Sequence, residues 1–424
     1  MIASLTAMQS APEPRNYVGP GSCGATACHG AIRPVAASRI LQTEYTTWIA
    51  QDRHARATDV LSNSLSQRMA KILGIGDPAK AGKCLSCHSL DAPPSTQGRN
   101  VANDGVSCEA CHGPASAWLG YHVTRDAKHE ESVKRGMYDT KDVVKRTEKC
   151  LTCHLGAPDK SVDHDMIAGG HPDLVFELGA FSAAMPRHWK ERGGDRYGTV
   201  RTFAIGELTH LRESLDRLSR RVKDPIWPEY TEFDCFACHH GLTRPEDSWR
   251  QATGYGHRAR PGLPQLQVSR YLTARRVLEA YDSSAEQELT GVMDKLQIEA
   301  SRPSVKPGDV VALADQARAI VDRGLGKAVA STPSAEAAGS MLRGIYADVP
   351  EIAERGERAA EQAAMAAETL TAALAEGRGQ DPMASKGAFD ELFKQFESPS
   401  SYDPRTFVAA MKKAELATSV NASR

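Results

Sequence analysis

Each of the ten cysteines stands in a pair that is closed by a histidine. Four pairs read C-x-x-C-H: Cys84 to His88, Cys108 to His112, Cys150 to His154 and Cys235 to His239. The fifth, Cys23-Gly24-Ala25-Thr26-Ala27-Cys28-His29, is stretched by two residues, and its small side chains let the extra length bulge. Covalent haem attachment requires these groups in this order. Two thiols add across the two vinyl groups of one haem, and the following residue presents an imidazole to the iron. Cys23, Cys28, Cys84, Cys87, Cys108, Cys111, Cys150, Cys153, Cys235 and Cys238 are therefore expected to carry five haem c groups. His29, His88, His112, His154 and His239 are the expected proximal ligands.

Other cysteine chemistries fit less well. A thioredoxin-like pair does not call for a histidine after every doublet. Structural zinc joins two knuckles per metal, which leaves one of five units over. A disulfide framework expects a small chain with dispersed cysteines.

The remaining nine histidines decide between electron carriage and catalysis, because a haem with two histidine ligands has no open face. Five are the expected distal ligands: His54 in Trp48-Ile49-Ala50-Gln51-Asp52-Arg53-His54, His122 after Trp118, His164 and His171 around the Gly169-Gly170 loop, and His188 beside Trp189. Trp48 is expected to pack on a macrocycle. His129 reads as solvated among charges, His210 as lying off a leucine stripe, His240 as facing away from the iron of its neighbour, and His257 as a basic-loop residue. Met69, Met137, Met166 and Met185 read as packing residues. No motif replaces its histidine by lysine. The pairing of distal histidines with haems stays open at this stage.

The elements that must hold these groups divide by composition. Every cysteine and histidine lies within residues 15–261, a stretch rich in turns and expected to be irregular and mainly α, with haems as its core. One helix is clear there, over 200–222, with Leu208, Leu211, Leu215 and Leu218 as its apolar stripe. Residues 262–424 read as a separate α-helical domain with segments at 263–281, 284–299, 308–324, 335–346, 350–376, 387–397 and 404–416. Asp309 and Asp403 are expected N-caps, with Pro404 at the first helical position. Gly324-Leu325-Gly326 and Gly377-Arg378-Gly379 are expected stops. Residues 1–14 read as a disordered N-terminus or leader remnant, without an evident signal peptide.

Formal net charge is −1, which gives no pull toward nucleic acid. No apolar run approaches a membrane span. Aromatics make up only 6%, so haem plates would supply much of the missing core.

Residues 17–262 resemble the cytochrome c-554-type multihaem cytochromes. The carriers are Tyr17-Val18-Gly19, the segment Trp48 to Ala55, Gly105-Val106-Ser107-Cys108-Glu109-Ala110-Cys111-His112-Gly113-Pro114, Gly169-Gly170-His171-Pro172 through Leu178, His188-Trp189, and Phe233 to His240. The resemblance implies distal ligation by His54, His122 and His171 and closely spaced haem pairs. Five motifs and a long helical extension depart from a four-haem member.

The resulting reading is an exported pentahaem electron carrier rather than an enzyme, periplasmic or extracellular, serving redox partner proteins. The helical domain is a candidate oligomer interface. Two alternatives stand beside it. One is a multihaem oxidoreductase for nitrogen oxides, hydroxylamine or peroxide with one open-faced haem. The other is a structural or filament subunit.

Overall fold

The computed structural model describes residues 15–38, 40–90, 92–97, 105–190, 195–235, 238–239, 264–397 and 402–422. Residues 1–14, His240 and His257, and with them their expected roles, lie outside this set. The protein is mainly α; among the described residues only isolated β-bridges occur, such as Tyr17 with Gln97.

Two compact units emerge. The first comprises residues 1–70, 75–141 and 188–190; the second comprises 71–74, 142–187 and 191–424. Three motifs fall in the first unit and two, at Cys150 and Cys235, in the second. The expected division at 261/262 is not where the units part.

The first unit carries short helices: α1 (Glu44–Gln51), α2 (Ser64–Leu73, up to residue 70), α3 (Gly82–His88), α4 (Cys108–His112), α5 (Leu119–His122) and α6 (His129–Lys134). Three of the six end on a histidine of the site. Its one buried apolar cluster among the described residues is Leu90 with Ala92, flanked by Tyr17 and Ala110. That is far less than a unit of this length needs to offset chain entropy.

The second unit is built differently. Its haem-motif part holds α7 (Val143–His154), α8 (His164–Gly169) and α9 (Leu178–Ala184). Then come α10 (Gly198–Arg221), α11 (Ser269–Tyr281), α12 (Ser283–Ala300), α13 (Pro307–Ala330), α14 (Ala335–Ala347), α15 (Val349–Glu354), α16 (Glu357–Gly377), α17 (Lys386–Phe393) and α18 (Pro404–Ala422). The leucine stripe of α10 is buried throughout and packs with α11, α13 and α16 in one continuous core. This packing, not the composition change, sets the unit. An amphipathic helix must bury its stripe against whatever apolar faces the chain offers, near or far. Polar contacts reinforce the junction: Arg358 of α16 pairs with Asp173, and Thr369 donates to Glu177 at 2.6 Å.

Several helix signals need correction. α13 starts at Pro307 with Lys306 as N-cap, so Asp309 sits inside the first turn; proline at the first position already sets the helical φ. Gly324 and Gly326 do not stop α13. A Cβ at Gly324 would lie 2.1 Å from Cδ2 of Leu278, so this glycine is a notch that lets α11 approach. The single helix expected over 350–376 is broken by Gly356, with φ 82°, into α15 and α16. The Asp403 cap forms: Thr406 N–H donates to its carboxylate at 2.9 Å. α16 ends at Gly377, followed by Gly379 at φ 72°.

Candidate haem sites

None of the ten cysteines is in a disulfide, and each keeps some exposure. The expected proximal histidines at 88, 112 and 154 close the last turns of α3, α4 and α7, so each imidazole leaves the same helical turn as its two thiols. In the stretched motif the extra residues fold back. His29 N–H donates to the Cys23 carbonyl at 3.3 Å, and Gly30 N–H to Ala25 at 3.0 Å. A Cβ at Gly30 would fall 1.9 Å from the Gly24 oxygen, so glycine is needed there. The bulge thus depends on Gly30 as well as on the small residues between the two thiols.

Ring-nitrogen bonding sets five of the ligand candidates apart from His129 and His210. Nδ1 of His88 donates to Ala57 O at 2.8 Å, that of His122 to Leu119 O at 2.6 Å and that of His171 to Pro172 O at 2.7 Å. A carbonyl can only accept, so each ring carries its proton on Nδ1 and its lone pair on Nε2. His29 and His54 do the same toward Glu44 and Asp52, both at 3.0 Å. Their hydrogen bonds with His29 and His54 counter burial and hold both carboxyls below their ordinary range. A second ring nitrogen anchored in this way is the usual companion of a metal-bound histidine.

His129 and His210 differ. His129 uses Nε2 toward Asp139 at 2.7 Å, so it is paired rather than solvated. His210 is 1% exposed, and its Nε2 accepts from Nε of Arg270 at 2.7 Å. Burial holds its pKa well below the usual value, followed by the charges of Arg270 and Arg217.

The structure brings particular rings together. His29 and His122 lie in nearly parallel planes, 4° apart, with centroids 6.4 Å apart. His164 and His239 stand 6.3 Å apart at 31°. With a metal–imidazole bond of about 2.0 Å and a ring nitrogen about 1.1 Å from its centroid, two imidazoles on opposite sides of one metal have centroids about 6 Å apart. Both pairs meet that separation. His112 is drawn down to about 4, by burial first and then by the neighbouring His188 and His29. His154 is packed by Phe176 and Phe181, at 4.9 and 5.2 Å. By unit, His54, His122 and His188 accompany three motifs, and His164 and His171 accompany two.

Trp48 is buried on α1, and its indole N–H donates to Val106 O at 3.1 Å, so the ring braces the approach to α4. Glu109, inside the third motif and 2% exposed, went unread in the sequence. Its carboxylate accepts from Val18 N–H at 3.0 Å to each oxygen, and from Gly19 and Ala115 N–H at 2.8 Å. The segment leading into the first motif is thereby tied to the third. The Cys23 and Cys108 thiols are hydrogen-bond neighbours, and Cys108 holds Cys23 down at about 7.

Comparison with known proteins places the N-terminal part. Residues 23–113 match the family described as cytochrome c554 and c-prime. Over this stretch the chain is similar to the cytochrome c-554 type. The match takes in the first three motifs and His54. Over 116 residues the chain is 28% identical to cytochrome c-554 of Nitrosomonas europaea, which is 24% of this chain and 48% of the relative. The chain thus spans about half the length of the curated relative it matches. No solved structure matches. The motifs at Cys150 and Cys235 lie beyond the matched family region, as does everything C-terminal to them. Among the described residues no helix is long and apolar enough to cross a membrane.

Proposed function

We propose that the chain is an exported five-haem c-type cytochrome that carries electrons between redox partner proteins. The observation that carries this reading is the pair of histidine couples, His29 with His122 and His164 with His239, each spaced to share one iron. Haem c, when bound, supplies a one-electron carrier whose potential follows its axial ligands and surroundings. The chain's part is attachment through ten cysteines, proximal ligation by five histidines, and distal ligation by His54, His122, His164, His171 and His188.

The numbers match within each unit. With His122 given to His29, the first unit leaves His54 and His188 for His88 and His112. With His164 given to His239, the second leaves His171 for His154. Nδ1 anchoring of His29, His54, His88, His122 and His171 supports Nε2 as the iron-facing nitrogen. The thin apolar core of the first unit supports haem as its filling. Residues 262–424 serve as the helical frame of the second unit rather than as a haem site.

Intact-mass measurement of the mature protein should show an increment of five haems. Low-temperature EPR of the oxidised protein should show only low-spin iron. A stoichiometric high-spin signal would refute full histidine ligation and favour the oxidoreductase alternative.

A further inference from the structure

The five anchored Nδ1 atoms do not have equivalent partners. His88, His122 and His171 donate to neutral backbone carbonyls, whereas His29 and His54 donate to carboxylates; Asp52 stands two residues before its histidine, while Glu44 comes to His29 from a separate helix. The Glu44 carboxylate is held in place from several sides. Leu41 N–H donates to the other oxygen of Glu44 at 2.8 Å. Tyr45 N–H donates to His29 O at 2.9 Å, so the first turn of α1 is locked to the motif's histidine. Gln42 reaches back to Ala27 O at 2.9 Å, while its own carbonyl accepts from Ala31 N–H at 2.8 Å. Gln42 does this at φ 64°, an unusual conformation for a residue other than glycine. A strained turn persists only where its surroundings determine it several times over. Here the result is a carboxylate aimed at one ring nitrogen.

We propose that Glu44 is a tuning residue: its carboxylate on Nδ1 of His29 lowers the potential of the haem attached at Cys23 and Cys28 below what a neutral partner would give. The inference rests on His29 being an iron ligand. A carboxylate that accepts the Nδ1 proton makes the imidazole a stronger donor through Nε2. A stronger donor favours the oxidised iron. The carbonyl-backed histidines receive the same orientation without the charge.

The test uses the full-length holoprotein. E44Q keeps the size and one acceptor oxygen for His29 and removes the charge. In a spectropotentiometric titration one haem of five should move to higher potential by about tenfold in its one-electron equilibrium, which is about 59 mV. One low-spin EPR signal should change its g values, with none turning high-spin. E44D, which withdraws the carboxylate by one methylene, should give a smaller shift in the same direction, and it replaces E44Q if that variant does not accumulate. All five potentials staying within about threefold of native in these equilibria overturns the proposal. So does a high-spin signal or a lost haem in E44Q, which would make Glu44 a tether. Mass mapping of the native peptide containing Cys23 and Cys28 separates the two kinds of failure. If that peptide carries no haem, the reading of the motif falls and the tuning with it. If it carries haem and no shift occurs, the tuning alone falls.

Discussion

Replacing Glu109 by glutamine should loosen the tie between the first and third motifs. The native carboxylate satisfies three backbone N–H groups, those of Val18, Gly19 and Ala115, with four contacts of 2.8–3.0 Å. It can do so because both oxygens accept. Glutamine has one oxygen, and its amide nitrogen would face an N–H donor with another donor. At least one charge-assisted bond is lost and the others weaken to neutral strength. A bond to a charged group contributes about 1.5–3 kcal/mol, so the summed effect is about 3 kcal/mol. The cost falls on the segment around residues 16–19, which reaches the third motif through this carboxylate and through Asn16 on Ser116. Hydrogen exchange reads it directly. Amide protection at Val18 and Gly19 should fall about a hundredfold in E109Q, since 1.36 kcal/mol is a factor of ten. Protection at Leu208 and Leu211 in α10 should stay as it is. Exchange at Val18 and Gly19 within about threefold of native would refute the reasoning, because the carboxylate would then contribute little to local opening.

Glu207 accepts from Thr273 Oγ1 and, at 3.0 Å, from Gln362, and burial with Glu177 nearby pushes its pKa up to about 8. A raised folded-state pKa means stability present below pH ~4.5 and lost as pH rises toward 8; E207Q should flatten this slope and gain a few kcal/mol over native at pH 8 but not at pH 5, and parallel melting curves would contradict it. Gly105, at φ 64°, would place a Cβ 2.5 Å from His54 O and 2.6 Å from Ala55 O. G105A should therefore cost about 1–3 kcal/mol and disturb the turn that carries His54, seen as a change in one low-spin EPR signal; five unchanged signals would count against His54 as a ligand. A fragment ending at residue 262 should fail to fold its second unit, because α10 loses the partners of its leucine stripe and Glu177 loses Thr369; a soluble fragment with five haems would show the opposite.

The attachment chemistry was legible in the sequence because it is local. Two thiols and an imidazole meet one haem only at short fixed spacing, so Cys84 to His88 declares itself without a fold. The helices after residue 264 were legible for a related reason, since 3.6-residue periodicity is written into each segment. α12 and α14 end within two residues of the expected bounds. Ligand support was partly legible. Asp52 stands two residues before His54, where it caps a short turn and reaches the ring as well. The contacts of Glu44 with His29, of Glu109 with Val18 and Gly19, and of the His29 and His122 rings join segments 15 to 93 residues apart, and no local pattern encodes which of them meet. The same holds for Gly324, which reads as a helix stop until Leu278 is seen against it. Local spacing specifies which groups can bind haem. Only packing, which brings distant backbone and side chains to within 3 Å of a ring nitrogen, decides how each is held and which histidine rings come close to one another.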